Sequence, residues 1–148
     1  MKTLLASLAM LFATAAFAGG PAKITDLKAA LKVAQSQGKL LFVQMGRENC
    51  ENCQALNSMI ANSEVQLPPS QYVYADVNCD DEKTKELFVK HFQINGSTLP
   101  FVVVAAPDGT QLASRTGEGS ARDYSNLLRD AQKAAQRLPA GKVTPKKK

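Results

Sequence analysis

The chain has 148 residues, with 45% hydrophobic and 21% charged side chains, a balance that supports one domain with a real core and confines disorder to the ends. Its formal net charge is +5, but Lys146, Lys147 and Lys148 supply part of that in a terminal basic run. No basic face interleaved with aromatic platforms is visible, so the charge does not indicate a nucleic-acid partner.

In chain order, the N-terminus comes first. Lys2 gives a positive start, Leu4 to Phe17 runs apolar, and Ala16-Phe17-Ala18 precedes Gly19-Gly20. That is the layout of a cleaved secretory signal over residues 1–18. The run is too short and too weakly flanked for a membrane span, and no cysteine follows it to carry a lipid. These features place a mature domain, residues 19–138, in the periplasm or outside the cell, with no stable membrane insertion. Disulfides form and persist there.

Ile24 to Gln37 sets Leu27, Ala30, Leu31 and Ala34 at helical spacing, and Gly38 stops it. Lys39 to Gln44 is a short apolar run, as in a strand buried on both faces. A Cys-x-x-Cys follows, and Gln54 to Ala61 reads as helix. Gln71 to Val77 is a second strand, Asp81 to Phe92 a second amphipathic helix, and Phe101 to Ala106 a third buried strand. Pro107-Asp108-Gly109-Thr110 signals a turn into a strand at Gln111 to Arg115. Ala121 to Leu138 closes the domain as a helix, with residues 139–148 a flexible basic tail. This order predicts an α/β sandwich whose first strands are parallel and whose last two form an antiparallel hairpin.

The chemistry concentrates at Cys50-Glu51-Asn52-Cys53. Such a motif serves as half a zinc site, a structural staple or a redox centre. The strand before it delivers Cys50 to the first turn of the next helix, where unpaired N–H groups and the helix dipole favour a thiolate. Cys53 lies one turn deeper on the same face, within bonding reach and more buried. An exposed thiol that attacks and a shielded one that resolves suit disulfide exchange.

With Thr98-Leu99-Pro100 set before the third buried strand, the chain resembles the thioredoxin superfamily over roughly residues 24 to 137. The resemblance implies a three-layer sandwich, with a central mixed sheet of four to five strands flanked by helices. It also implies a cis-Pro100 facing the Cys-x-x-Cys, and a Leu99 that pairs with substrate backbone. It further implies an enzyme of thiol–disulfide exchange that needs no cofactor or metal. Expected partners are protein thiols or disulfides and a redox partner that recycles the pair. A monomer is expected.

The departures tune that expectation. The chain has no Trp, Asn49 precedes the first cysteine, and Glu51 and Asn52 stand where thioredoxins carry Gly-Pro. Gln44 takes the place of a buried carboxylate that assists the second thiol. A neutral amide is no general base, so Cys53 must lose its proton to water, to Glu51 or Glu48, or to a partner, and slow turnover is expected. A helix N-terminus stabilises a thiolate by about 0.3–2 kcal/mol, whereas Glu51 at ~7 Å in a dielectric of ~40 opposes it by roughly 1 kcal/mol. Arg47 offsets Glu51 and Glu48 in part. The near-cancellation predicts a Cys50 pKa modestly below the free value of about 8.5. Strong oxidants of the superfamily often carry His between the cysteines; its absence argues for a reductant or isomerase. The alternative is a thioredoxin-fold binding or scaffold module with a structural Cys50–Cys53 disulfide.

Three further features are weighed. Cys79 is either a reactive thiol near Cys50 or an inert half-buried loop residue, with Asp76, Asp80 and Asp81 disfavouring its thiolate. His91 could complete a zinc set with the three cysteines, but only one ligand pair is present and a partly buried helix position is expected for it. Gly117-Glu118-Gly119-Ser120 lacks the Lys-Ser/Thr of a phosphate loop and reads as a tight turn with Ser120 as helix cap.

Overall fold

The computed structural model describes residues 21–139; the expected signal segment, residues 1–18, and the tail from residue 140 onward lie outside the described residues. The elements run β1 (Lys23–Ile24), α1 (Leu27–Gln37), β2 (Leu40–Gly46), α2 (Glu51–Ala61), β3 (Tyr72–Asn78), α3 (Glu82–His91), β4 (Phe101–Ala105), β5 (Gln111–Thr116) and α4 (Ala121–Gln136). They build a five-stranded mixed sheet in the order β1-β3-β2-β4-β5. β1 and β2 flank β3 in parallel, and β4 runs antiparallel to β2 and β5.

Alternation along the strands divides the core between the two faces. Leu41, Val43 and Met45 of β2 join Val73, Ala75 and Val77 of β3 under α1 and α3, where Phe88 and Phe92 pack. Phe42, Tyr72, Tyr74, Val102 and Val104 face the other way, against Leu56 and Ile60 of α2 and Tyr124, Leu127 and Leu128 of α4. Three layers result because every helix has one apolar stripe and the central strands are apolar on both sides.

Helix starts follow their capping chemistry. Asp26 accepts from the Ala29 N–H at 2.7 Å, Asp81 from the Lys83 N–H at 3.0 Å, and Ser120 forms a reciprocal box with Asp123. The backbone N–H and then the hydroxyl of Ser120 hold the Asp123 carboxyl below its ordinary value. This contribution is present at neutral pH and is lost as pH falls through that depressed value.

Two expected helix starts move by three residues, and the last helix ends at Gln136 rather than Leu138. Ile24 belongs to a strand rather than a helix, because Lys23 and Ile24 pair with Tyr74 and Ala75. A two-residue edge strand has no periodicity to read, and its partner lies some 50 residues away. Helix α2 begins at Glu51 rather than Gln54, because Cys50 itself caps it. None of the described helices is long and apolar enough to cross a membrane.

Phe88 is fully buried between α3 and the sheet, while Val89, its neighbour, is 58% exposed. Phe88→Ala is expected to lower unfolding free energy by about 3–5 kcal/mol, and Val89→Ala by no more than about 0.5 kcal/mol. Urea denaturation of both variants checks the assignment of faces.

Candidate functional site

Strand β2 ends at Gly46, and a three-residue connection brings Cys50 to the head of α2. Cys50 is the N-cap: its Sγ accepts from the Cys53 N–H at 3.2 Å. The sulfur therefore sits where the free N–H groups of the first turn converge, a position that stabilises a thiolate once the pair is reduced. Cys50 and Cys53 are joined as a disulfide, with Cα atoms 5.2 Å apart. Cys50 is half-buried and Cys53 only 3% exposed. The Gln54 side chain, donating to the Glu48 carbonyl at 2.8 Å, fixes the connection.

Gly46 makes this close approach possible. A Cβ there would lie 2.5 Å from Cys53 Sγ and 3.1 Å from its Cβ. The strand end and the helix can touch only where no side chain intervenes.

Gln44 is fully buried, as the resemblance implied for its position. Its Nε2 donates to the Cys53 carbonyl at 3.1 Å. A carbonyl only accepts, so this bond fixes the amide's orientation. The other amide atom, Oε1, is buried with no partner. Asp76 is its register partner on β3, so both side chains rise from the same face. The Asp76 Oδ2 accepts from Lys23 Nζ at 3.0 Å and from Asn57 Nδ2 at 3.2 Å, and Tyr74 donates its hydroxyl to Asn57. Burial, and then the charge of Asp76, pushes the Tyr74 phenol upward, which keeps it a donor. Gln44, Cys53, Asn57, Asp76 and Lys23 line one open cavity of about 300 Å³.

On the other side of the pair, Asn52 Nδ2 donates to the Leu99 carbonyl at 3.4 Å. The Leu99–Pro100 peptide is cis. Gly117, at φ +76°, donates to the carbonyls of Thr98 at 2.9 Å and Pro100 at 3.0 Å, a conformation that favours glycine. Pro100 is buried and Leu99 half-buried. Leu99 lines a second cavity, of about 600 Å³, with Met45, Cys79, Val89, Thr98 and Phe101 among its walls.

Several sequence expectations change. Arg47 does not pair with Glu48 or Glu51; its guanidinium lies 3.3 Å from Asp80 and 3.6 Å from Cys79 Sγ. The Cys79 sulfur and then the Asp80 charge hold that guanidinium above its ordinary value. Glu51 is exposed at the first position of α2. Asp76 is no neighbour of Cys79, since it faces α2 whereas Cys79 packs against the α1/α3 core. Asp81 is occupied as a helix cap. Cys79 is half-buried, its N–H donating to the Gly46 carbonyl at 2.7 Å. His91 is exposed rather than partly buried. It stands near Gly109, at the β4–β5 turn and the opposite end of the sheet from Cys50. Among the described residues no three His, Cys, Asp or Glu side chains converge as metal ligands.

Sequence reading missed Gly46, Lys23, Asn57 and the role of Asp76. For Asp76 a signal existed: it is the lone carboxylate inside the apolar run Tyr72 to Val77, two residues past Tyr74 on one face.

The site thus combines a mixed sheet, a disulfide at the head of the helix after its central strand, and a proline loop bonded to that helix. The family model described as thioredoxin-like matches residues 22–107, and the chain belongs to that family. Among solved structures, Trxlp from Edwardsiella tarda is similar at a TM-score of 0.57 and 19% identity, covering 72% of this chain and 98% of that one. Thioredoxin f from spinach chloroplast gives 0.54 and 18%, covering 79% and 95%. The complex of ferredoxin:thioredoxin reductase with thioredoxin f2 contains a chain that gives 0.52 and 16%, covering 80% and 96%. At such identities the likeness is one of fold. No curated protein matches the chain in sequence.

The Gly46 contact generates a test. Gly46→Ala is expected to destabilise the oxidised protein by about 1–3 kcal/mol, as overpacking does. The reduced protein should lose less, because a freed Cys53 side chain can rotate away. Thermal unfolding of both redox forms measures the difference.

Proposed function

We propose that the protein is an exported thiol–disulfide oxidoreductase whose Cys50/Cys53 couple acts as a reductant or isomerase rather than as a strong oxidant. The observation that carries this reading is the asymmetry of the pair: a half-buried sulfur at the helix cap, and a shielded sulfur one turn deeper. In the reduced protein the Cys50 thiolate attacks a disulfide of a client protein, forming a mixed disulfide and releasing the client's first thiolate. Cys53 then attacks Cys50 Sγ, which closes the Cys50–Cys53 bond and releases the second client thiol. The client gains two electrons and the pair loses them, so no cofactor is required.

Leu99, on the rim of the larger cavity, and Pro100 behind it shape the surface where client backbone docks. Asn52 ties that loop to the active helix. Glu51, exposed beside Cys50, opposes excessive stabilisation of its thiolate, and no histidine stands between the cysteines. Both features favour a moderate redox poise. Gln44 adds a neutral neighbour to Cys53. A redox partner must re-reduce the pair; the neighbour solved with ferredoxin:thioredoxin reductase illustrates that kind of partner. The signal-like layout of residues 1–18 supports export to the periplasm or beyond, and a monomer suffices for the chemistry.

The same Gln44 keeps one second reading in view, a scaffold module with a structural disulfide, since its amide cannot take a proton from Cys53. Reduction potential separates the two. A value between about −270 and −180 mV, found by equilibration with glutathione, is expected. One below about −300 mV with negligible exchange supports the staple, and one near −120 mV overturns the reductant assignment. Cys50→Ser should abolish insulin reduction and Cys53→Ser should accumulate mixed disulfides; undiminished activity in Cys50→Ser would end the proposal.

A further inference from the structure

We propose that Asp76 is the proton acceptor for Cys53, reached through water in the cleft that the two side chains share. The inference deepens the exchange reading above and rests on it. Resolution of a mixed disulfide needs the Cys53 thiolate, yet this thiol is buried and its nearest buried polar neighbour, Gln44, is neutral. The cleft supplies what Gln44 lacks. It holds Cys53, Gln44 and Asp76 in one open space of about 300 Å³, roomy enough for several water molecules.

Two observations converge on this route. The β2–β3 register sets Asp76 beside Gln44 on the α2 face of the sheet, so the carboxylate lies one strand away from the residue that touches Cys53. Both donors to Asp76, Lys23 and Asn57, bond its Oδ2, which leaves Oδ1 free to accept.

The other groups around Asp76 do not compete for the proton. Lys23 from β1 is a cation bonded to it, and Tyr74 on β3 remains a protonated donor. Arg47 and Glu48 line the cleft from the β2–α2 connection, and both are exposed, with Arg47 turned to Asp80. Asn57, Gln54 and Asn78 are uncharged. In the forward direction the Cys53 S–H proton passes through water to the Asp76 carboxylate. The Cys53 thiolate then bonds Cys50 Sγ, the bond from Cys50 to the client sulfur breaks, and the client leaves with the electron pair. The Asp76 carboxyl returns its proton to solvent or to the departing thiolate. On re-reduction of the pair the same path runs backwards, and Cys53 recovers its proton.

The test separates the two chemical steps. Reduced protein carrying Cys79→Ser is mixed with an aromatic disulfide whose released thiolate is coloured. Attack by Cys50 gives a first release, and closure of the Cys50–Cys53 bond gives a second. In Asp76→Asn the first release should match the parent, while the second slows by about 100-fold, the lower end of what a positioned acid or base contributes. Between about pH 6 and 8 the parent's second release should vary little. In Asp76→Asn it should climb about tenfold per pH unit, because only thiol already ionised can react. Adding Gln44→Glu to Asp76→Asn places a carboxylate on β2 and should restore a fast, flat second release. A second release that keeps the parent's rate and pH profile in Asp76→Asn overturns the proposal. So does a slowing with no change in pH profile, which marks a structural role. Absence of the first release in the parent would instead overturn the exchange reading itself.

Discussion

The contact between Gly46 and Cys53 sets how closely α2 can approach the end of β2, and most of the site depends on that approach. A Cβ at residue 46 would overlap the Cys53 sulfur, so the side-chain-free backbone is what lets the helix begin where it does. With the helix seated there, Cys50 becomes its cap and Gln44 reaches the Cys53 carbonyl. The strand end is itself held. Gly46 is paired with Asn78 in the parallel ladder, and its carbonyl accepts from the Cys79 N–H. The sheet therefore supplies a rigid floor, and the first turn of α2 supplies the electrostatics.

The α2/α4 face of the sheet is apolar over most of its area and polar toward the carboxyl ends of β2 and β3. Phe42, Tyr72, Val102 and Val104 fill the apolar part. Past them come Gln44 and Asp76, with Tyr74 and Asn57 bonded behind. Polar groups at such depth require partners. Tyr74, Asn57, Asp76 and Lys23 provide them for one another, whereas the Gln44 Oε1 lacks one. An unmet buried acceptor costs about 1–3 kcal/mol, which an apolar residue of similar volume would remove. The amide's N–H₂ holds the helix through the Cys53 carbonyl.

The loop side of the site has a different logic. Asn52 through its side-chain amide and Gly117 through its backbone N–H fasten the segment around Leu99 and Pro100 at its carbonyls, which links α2, the proline loop and the end of β5. Cys79 and Arg47 sit beyond this, joined to each other and to Asp80. That association draws Arg47 away from Glu48 and Glu51 and leaves the acidic neighbour of Cys50 in solvent.

The sequence alone determined the element order, the division into helices and buried strands, the parallel-then-hairpin sense of the sheet, and the spacing that lets Cys50 and Cys53 pair. Those features are local: apolar periodicity, a cap such as Ser120, and a motif whose spacing puts two sulfurs one helical turn apart. The burial of Gln44 was also legible, through the resemblance, in which its position ahead of the first cysteine is a buried one. Only the tertiary structure decided that Ile24 pairs with β3, that Gly46 must be bare, that Arg47 turns to Asp80, that His91 stands far from the cysteines, and that Asp76 shares a cleft with Cys53. Each is set by strand register or by helix-to-sheet distance, quantities that join residues tens of positions apart and leave no periodic trace in the chain.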